Sequence, residues 1–145
     1  MRDKTCFFIG HREAPENIYP ELAQTVEQLI GQGVTDFYVG HYGNFDRLAA
    51  RAVIAAKQQH SEVRLTMLLP YHPAERKVVL PPGFDGSFYP QGMENVPRRF
   101  AIARVNRWMV EYCTHLVAYV THPASNAEKV VERGRRLAKN VKLVR

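Results

Sequence analysis

Short apolar runs alternate with longer segments of helical periodicity along most of the chain. The apolar runs predict five strands, at Thr5–Ile9, Thr35–Val39, Val63–Leu69, His115–Val120 and Val141–Val144. The first run is almost entirely apolar and stops at a glycine, which is typical of a strand that is buried on both faces of a parallel sheet.

Between these strands, apolar residues recur three and four positions apart, as on the buried face of an amphipathic helix. This spacing predicts four main helices: Glu21–Gln32, one whose apolar positions run from Phe45 to Ala56, Arg98–Tyr112 and Asn126–Ala138. Alternating strands and helices indicate crossover connections around a parallel sheet. We therefore expect an α/β, Rossmann-like three-layer sandwich with a five-stranded, mainly parallel sheet of order 3-2-1-4-5, in one domain spanning residues 1–145.

The alternation stops between Pro70 and Pro97. This segment holds six of the nine prolines, with one turn of helix predicted near Ala74–Val78. A loop of this length within a compact domain is usually functional or mobile. The sequence leaves open whether this loop acts as a lid.

Composition places the chain in the soluble class. Apolar residues make up 46% of it and charged residues 23%, and no apolar run approaches the length of a membrane helix. The first strand begins too early to leave room for a signal peptide, so we expect a cytoplasmic protein with no membrane partner. Cys6 and Cys113 fit small buried residues better than a disulfide or a metal site, and no metal is predicted.

The charge narrows the class of partner. With 20 Lys+Arg against 14 Asp+Glu, the net charge of +6 attracts anions such as nucleotides, nucleic acids or acidic proteins. Much of the excess lies near the end of the last helix, at Arg133, Arg135, Arg136, Lys139 and Lys142. Pairing with the helix dipole and solubility explain that cluster without a ligand.

Two glycine-containing turns follow the first two strands. Ligands of open parallel sheets bind beyond the carboxyl ends of the strands, near the point where the strand order reverses. After the first strand, Gly10 and His11 precede Arg12, whose planar guanidinium suits phosphate or carboxylate but is equally consistent with a surface ion pair. The turn Gly-His-Tyr-Gly-Asn-Phe-Asp follows the second strand and opens a helix.

That second turn has the outline of a phosphate cradle. Gly40 and Gly43 let backbone N–H groups point towards an anion at a helix N-terminus. In the alternative, the glycines only shape the turn and Asn44 or Asp46 caps the helix. The turn lacks the spacing of a dinucleotide fingerprint and the lysine of a P-loop, so neither a dinucleotide fold nor an ATPase is indicated.

Two further pairs of residues lie near the expected crevice. Ser125 and Asn126 precede the last main helix, where either could cap the helix or donate to a phosphate. Asn106 and Arg107, in the preceding helix, either reach the crevice or face water. The six histidines show no metal-ligand spacing and neither cysteine has an obvious base partner, so no catalytic residue and no cofactor are predicted.

The segments FFIGHR, VGHYGNFDRLAARAV and RVNRWMVEYCTHLVAYV, with the final strand-loop-helix unit, resemble the SLOG superfamily, and within it the small YpsA-like members. The superfamily includes the Lonely Guy, cytokinin-activating phosphoribohydrolases and the DNA-processing protein DprA. The resemblance covers nearly the whole chain and implies a Rossmann-like fold. By position, it implies a nucleotide pocket formed by the predicted site residues.

The loop at Ser125 departs from the superfamily pattern. It reads HPASNAEKVVE, without the usual glycines and without the PGGxGTxxE motif that supplies the catalytic glutamate of the phosphoribohydrolases. Glu128 or Glu132 falls near that glutamate, depending on the alignment. This departure favours binding over catalysis.

Three functions follow in order of preference. The first is a sensor-like domain that binds a nucleotide or nucleotide-derived small molecule without turnover. The second is an N-glycosidase acting on a nucleoside monophosphate, with Glu128 or Glu132 beside the ribose and Arg12 on the phosphate. The third is binding of single-stranded nucleic acid. Whether the helix that carries Trp108 supports a homo-oligomer is left open by the sequence.

Overall fold

The structure is a computed structural model that describes residues 4–145, and its centre is a parallel sheet of six strands. In chain order these are β1 (Lys4–Gly10), β2 (Val34–Val39), β3 (Arg64–Leu68), β4 (Gly86–Phe88), β5 (His115–Tyr119) and β6 (Asn140–Leu143). They are arranged in the order β4-β3-β2-β1-β5-β6, and every neighbouring pair is parallel. The predicted order of the five anticipated strands and the α/β, Rossmann-like class are confirmed.

The sixth strand is a correction to the predicted count of five. Strand β4 has three residues, lies within the proline-rich segment and pairs with β3 at the edge of the sheet. A three-residue strand is too short to show an alternating pattern, so only its pairing with β3 identifies it.

The single turn of helix predicted near Ala74–Val78 lies about two residues earlier, and no longer helix follows from it. Over these described residues the chain forms a single hydrogen-bonded turn, in which the amides of Glu75 and Arg76 both donate to the carbonyl of His72. Residues 74–77 are exposed. One turn with no apolar face to bury does not repay the entropy of fixing its backbone, so it does not grow into a helix.

Among residues 4–145, four α-helices cover the sheet, two on each face. They are α1 (Tyr19–Gly31), α2 (Asn44–Lys57), α3 (Ala101–Tyr112) and α4 (Asn126–Arg136). Successive side chains of β1 point to opposite faces: Cys6 and Phe8 join the core beneath α1 and α2, whereas Phe7 joins the core beneath α3 and α4. This alternation gives the three layers of the sandwich.

Both cysteines are free and fully buried, as predicted from their apolar surroundings. Burial raises the pKa of the Cys113 thiol to about 11 and that of Cys6 well above its ordinary value. Both therefore stay protonated at neutral pH and serve as core residues. Within the described part of the chain, no helix combines the length and the apolar character needed to span a bilayer.

The topology gathers four chain segments at one edge of the sheet. Strands β1 and β5 are paired up to Gly10 and Tyr119, so the loops that follow them leave the sheet side by side. Helix α3 starts at this same edge because it leads into β5 at the opposite edge, and α4 starts here because it follows β5. The first turns of both helices therefore lie beside the Gly10 and Gly40 turns.

Candidate functional site

A cleft of about 420 Å³ opens at this carboxyl edge, within the usual size range of small-molecule sites. Its floor is the end of β1, residues 7–10, and one wall is the apolar side of α3, with Ile102 and Val105. The polar groups around it are supplied by His11, Arg12, Asp46, Arg99, Asn106 and Asn126. It combines an apolar surface with a few converging polar groups, which is the usual composition of a ligand site.

The structure brings most of the predicted site residues to this cleft. Those that line it are Gly10, His11, Arg12, Gly40, Asp46, Asn106 and Asn126. The remaining predicted residues, Gly43, Asn44, Arg107 and Ser125, do not line it. Each of these four has a structural contact that accounts for its position.

Arg12 is one of the two arginines that line the cleft. Its side chain forms no ion pair and no hydrogen bond with any residue that the structure describes, and the residue is exposed. Its positive charge acts to lower the pKa of Asp46 and of Tyr42, which places the guanidinium close to both. Arg12 therefore has its full set of donors available to a ligand.

His11 links the loops that follow β1 and β5. Its Nε2 accepts a hydrogen bond of 2.8 Å from the amide of Thr121, and its ring lies 4.6 Å from that of His122. Burial lowers the pKa of His11, and the nearby His122 lowers it further. The imidazole is therefore neutral at pH 7, and its Nδ1–H remains as a donor at the edge of the cleft.

Gly43 and Asn44 hold two loops together behind the cleft. The Asn44 amide donates to the Arg12 carbonyl at 2.8 Å, and the Asn44 side-chain amide donates to the carbonyl of Ala14. A Cβ atom on Gly43 would lie 2.5 Å from the Cα of Arg12, so no larger residue fits there. The predicted glycine turn is explained by this close approach of two backbones.

Asp46 occupies the position that the sequence suggested for a phosphate. Its Oδ2 accepts a hydrogen bond of 3.0 Å from the amide of Tyr42, so this turn already cradles an anionic group of the protein itself. Burial raises the pKa of Asp46 to about 6, although the Tyr42 amide and the charge of Arg12 act to lower it. Asp46 is the only carboxyl group lining the cleft among the described residues.

Gly10 is required by packing as well as by the cleft. A Cβ atom built on it would lie 2.4 Å from the ring of Phe45, which is buried under the end of β1. The glycine therefore lets the first turn of α2 approach the sheet closely, and that approach places the Asp46 turn beside Arg12.

Ser125 caps α4 and does not reach the cleft. Its Oγ accepts a hydrogen bond of 3.1 Å from the amide of Glu128, whose Oε1 accepts one of 3.0 Å from the amide of Ala124. Serine followed three residues later by glutamate is the capping-box pattern. The capping role that the sequence left open for Ser125 therefore accounts for its side chain, and the same cap engages Glu128.

Replacing Ser125 with alanine is expected to lower the free energy of unfolding by about 1 kcal/mol, because the amide of Glu128 loses its acceptor. The affinity of any ligand that binds in the cleft should stay unchanged, since Ser125 lies outside it. Urea denaturation and a binding titration on the same variant measure the two effects. A loss of affinity without a loss of stability would assign Ser125 to the ligand instead.

Arg107 lies away from the cleft. Its side chain is 62% exposed and its Nε is 3.6 Å from the carboxylate of Glu111, one helical turn further along α3. Asn106 does reach the cleft, so the two adjacent residues predicted as a pair diverge. Neighbouring helical residues point about 100° apart, which is why Asn106 faces the cleft and Arg107 faces water.

Arg99 and Tyr42 line the cleft and were not predicted. Arg99 lies just ahead of α3, a helix that begins at the carboxyl edge of the sheet because it precedes a parallel strand. Arg99 is therefore predictable from the topology, whereas the sequence singled out the polar pair Asn106 and Arg107 within α3. Within residues 4–145 no group of three or more His, Cys, Asp or Glu side chains could hold a metal ion.

No protein-family model matches the chain, and no curated protein matches it significantly. The chain is, however, similar to several solved structures. DNA processing protein A (DprA) from Streptococcus pneumoniae has a TM-score of 0.69 at 16% identity, over 97% of this chain and 50% of that chain. DprA from Helicobacter pylori, described for its single-stranded DNA binding mode, has a TM-score of 0.65 at 14% identity, over 97% and 65%.

A third similar structure is the Moco carrier protein from Chlamydomonas reinhardtii, with a TM-score of 0.62 at 15% identity, over 98% of this chain and 76% of that chain. The chain thus spans between half and two thirds of the two DprA structures. At these identities the likeness shows the fold. The chain shares with these structures the Rossmann-like α/β fold that its sequence predicted.

Proposed function

We propose that the cleft binds a nucleotide or nucleotide-derived small molecule through its phosphate, in a sensor-like role without turnover. The observation that carries the proposal is the unpaired cation Arg12 facing the same cleft as the start of α4. Residues Asn126 and Ala127 of α4 line the cleft, and the first amides of a helix have no partners within the helix. A phosphate there has a guanidinium on one side and a helix N-terminus on the other.

The rest of the cleft suits the nucleoside part of such a ligand. Leu68, Pro70 and Ile102 supply apolar surface for a base, while Asn106 and the Nδ1–H of His11 are available to ribose or base. Arg99 adds a second positive charge to the lining. This combination supports a ligand with one apolar, planar part and one anionic part.

The N-glycosidase alternative has less support. Glu128 is engaged in the cap of α4, and neither it nor Glu132 lines the cleft. Such chemistry needs a carboxylate beside the ribose, and Asp46 is already hydrogen-bonded to the Tyr42 amide. Binding without catalysis is therefore the better account of the cleft.

Single-stranded nucleic acid is the second candidate ligand, favoured by the net charge of +6 and by the described single-stranded DNA binding of the Helicobacter pylori neighbour. The two candidates differ in their salt dependence. A strand that contacts several phosphates loses affinity steeply as salt rises, whereas a mononucleotide that contacts one phosphate loses little. Titrations at two salt concentrations separate them.

The experiment on Arg12 tests the proposal directly. Melting temperatures measured with a panel of nucleoside 5′-monophosphates should rise, because ligand at 100 times its Kd adds about 2.7 kcal/mol of stability. Arg12→Gln should weaken that binding by about tenfold, through loss of a charge-assisted hydrogen bond. The control variant Lys142→Gln removes the same charge from an exposed residue of β6 and should leave the affinity for the nucleotide unchanged.

No shift with any nucleotide, or equal losses in the two variants, would refute the proposal. The first result would mean that the cleft does not bind this ligand class. The second would mean that only the overall charge matters.

A further inference from the structure

A second groove, of about 400 Å³, runs along the outer side of the fold between α3 and α4. We call it the α3–α4 groove and define it by its lining. Its walls carry the four cations Arg107, Lys129, Arg133 and Arg136, and Val110 and Val130 form its apolar floor. Glu132 is the one acidic residue in the lining.

The positive charge of the α3–α4 groove is only partly neutralised. Glu111 pairs with Arg133 and lies 3.6 Å from the Nε of Arg107. Lys129 and Arg136 form no ion pair with any residue in the described range 4–145. Arg133 also keeps one donor, its Nε, buried without a hydrogen-bond partner among the described residues.

Helix stability explains some of these cations and not others. Arg133 and Arg136 lie in the last turn of α4, where the helix dipole favours positive charge. Lys129 is the fourth residue of the helix, near its positive end, where the dipole disfavours a cation. The helix dipole therefore does not account for Lys129, whose charge adds to that of the groove.

The α3–α4 groove adjoins the cleft. Ala103, Asn106 and Asn126 line both of them. A single ligand can therefore extend from Arg12, over the first turn of α4, to Lys129 and beyond. The concave shape and small volume of the groove suit one compact group of such a ligand.

We propose that the α3–α4 groove binds a second phosphate of the same ligand whose first phosphate lies at Arg12. The ligand class is then a nucleotide that carries two phosphates separated by at least one sugar. This inference rests on the proposed function of the cleft. The guanidinium groups of Arg133 and Arg136 and the ammonium of Lys129 supply the donors for the second phosphate.

The test compares ligands with one and two separated phosphates by isothermal titration calorimetry. The probes are nucleoside 5′-monophosphates, the matching 3′,5′-bisphosphates and 5′-phosphorylated dinucleotides, which reach further. At least one probe with two phosphates should bind about tenfold more tightly than its monophosphate, at one ligand per chain.

Two double variants test which cations are responsible for the gain in affinity from the second phosphate. Lys129→Gln/Arg136→Gln should abolish it while leaving the affinity for monophosphates unchanged. Both side chains are exposed, so the double variant should fold normally. Arg135→Gln/Lys142→Gln removes two exposed cations outside the α3–α4 groove and should preserve the gain.

The possible failures are distinguishable. If no monophosphate binds, the proposed function of the cleft fails and this inference fails with it. If monophosphates bind and no second phosphate adds affinity, or if both double variants lose the gain equally, only the inference about the groove is wrong. A gain that continues to grow in longer oligonucleotides would instead define a strand-binding surface and overturn the assignment to a small ligand.

Discussion

Replacing Gly43 with alanine is expected to destabilise the protein by about 3 kcal/mol, because the added methyl group has no space. It would lie 2.5 Å from the Cα and 2.8 Å from the Cβ of Arg12. The nearest clash is with backbone, which cannot rotate away as a flexible side chain can. The two loops must separate, and the hydrogen bond from the Asn44 amide to the Arg12 carbonyl must break.

Urea denaturation followed by the fluorescence of the single tryptophan, Trp108, measures the loss. The matched control is Gly31→Ala at the end of α1, where an added Cβ would meet no atom within 4 Å. The control should be neutral or slightly stabilising because alanine favours helix more than glycine does. Equal effects at the two positions would mean that the loops adjust freely and that Gly43 does not hold Arg12 in place.

The second large effect is expected at Asp46, where Asp46→Asn should stabilise the protein by about 3 kcal/mol at pH 8. Burial raises the pKa of this carboxyl to about 6 from an ordinary value of 3.8. Between those values the folded chain binds more protons than the unfolded chain, so the free energy of unfolding falls as pH rises from about 4 to about 6 and stays lower above that. A difference of about two pH units corresponds to about 3 kcal/mol.

Asparagine has no charge to bury and keeps an oxygen that can accept from the Tyr42 amide. The gain in the free energy of unfolding should therefore shrink as pH falls from 8 towards 4, where the native carboxyl is protonated. Urea denaturation across this pH range follows it. A variant that is less stable than the native protein at pH 8 would show that Arg12 stabilises an ionised Asp46 and that the expectation is wrong.

Asp85→Asn is a control of opposite sign. Although partial burial acts to raise the pKa of Asp85, hydrogen bonds from Lys57 and from the amide of Leu65 lower it overall. The ionised carboxylate therefore stabilises the folded chain at neutral pH, and its removal should reduce the free energy of unfolding. That stabilisation is lost in acid as pH falls through the lowered pKa of Asp85. The free energies of unfolding of Asp46→Asn and Asp85→Asn should therefore differ most at neutral pH.

The outline of the site could be predicted because it follows from chain order. Once strands and helices alternate, the carboxyl ends of β1 and β2 must share one edge, which brought Arg12 and Asp46 into consideration before any contact was known. The role of each residue in the site did not follow from chain order. A glycine in a turn signals either a ligand or a close backbone neighbour, and Gly43 has the neighbour.

The Rossmann-like resemblance supplied the order of the five anticipated strands. By itself, the sequence determined the layers and the edge where the cleft lies. These depend on periodicity and connectivity, which are properties of the chain read in one dimension. Tertiary structure alone decided that the Asp46 carboxylate fills the turn, that Glu128 belongs to a cap, that Arg99 replaces Arg107 at the cleft, and that β4 exists. Each of these depends on which atoms from distant segments meet, and local periodicity holds no information about such meetings.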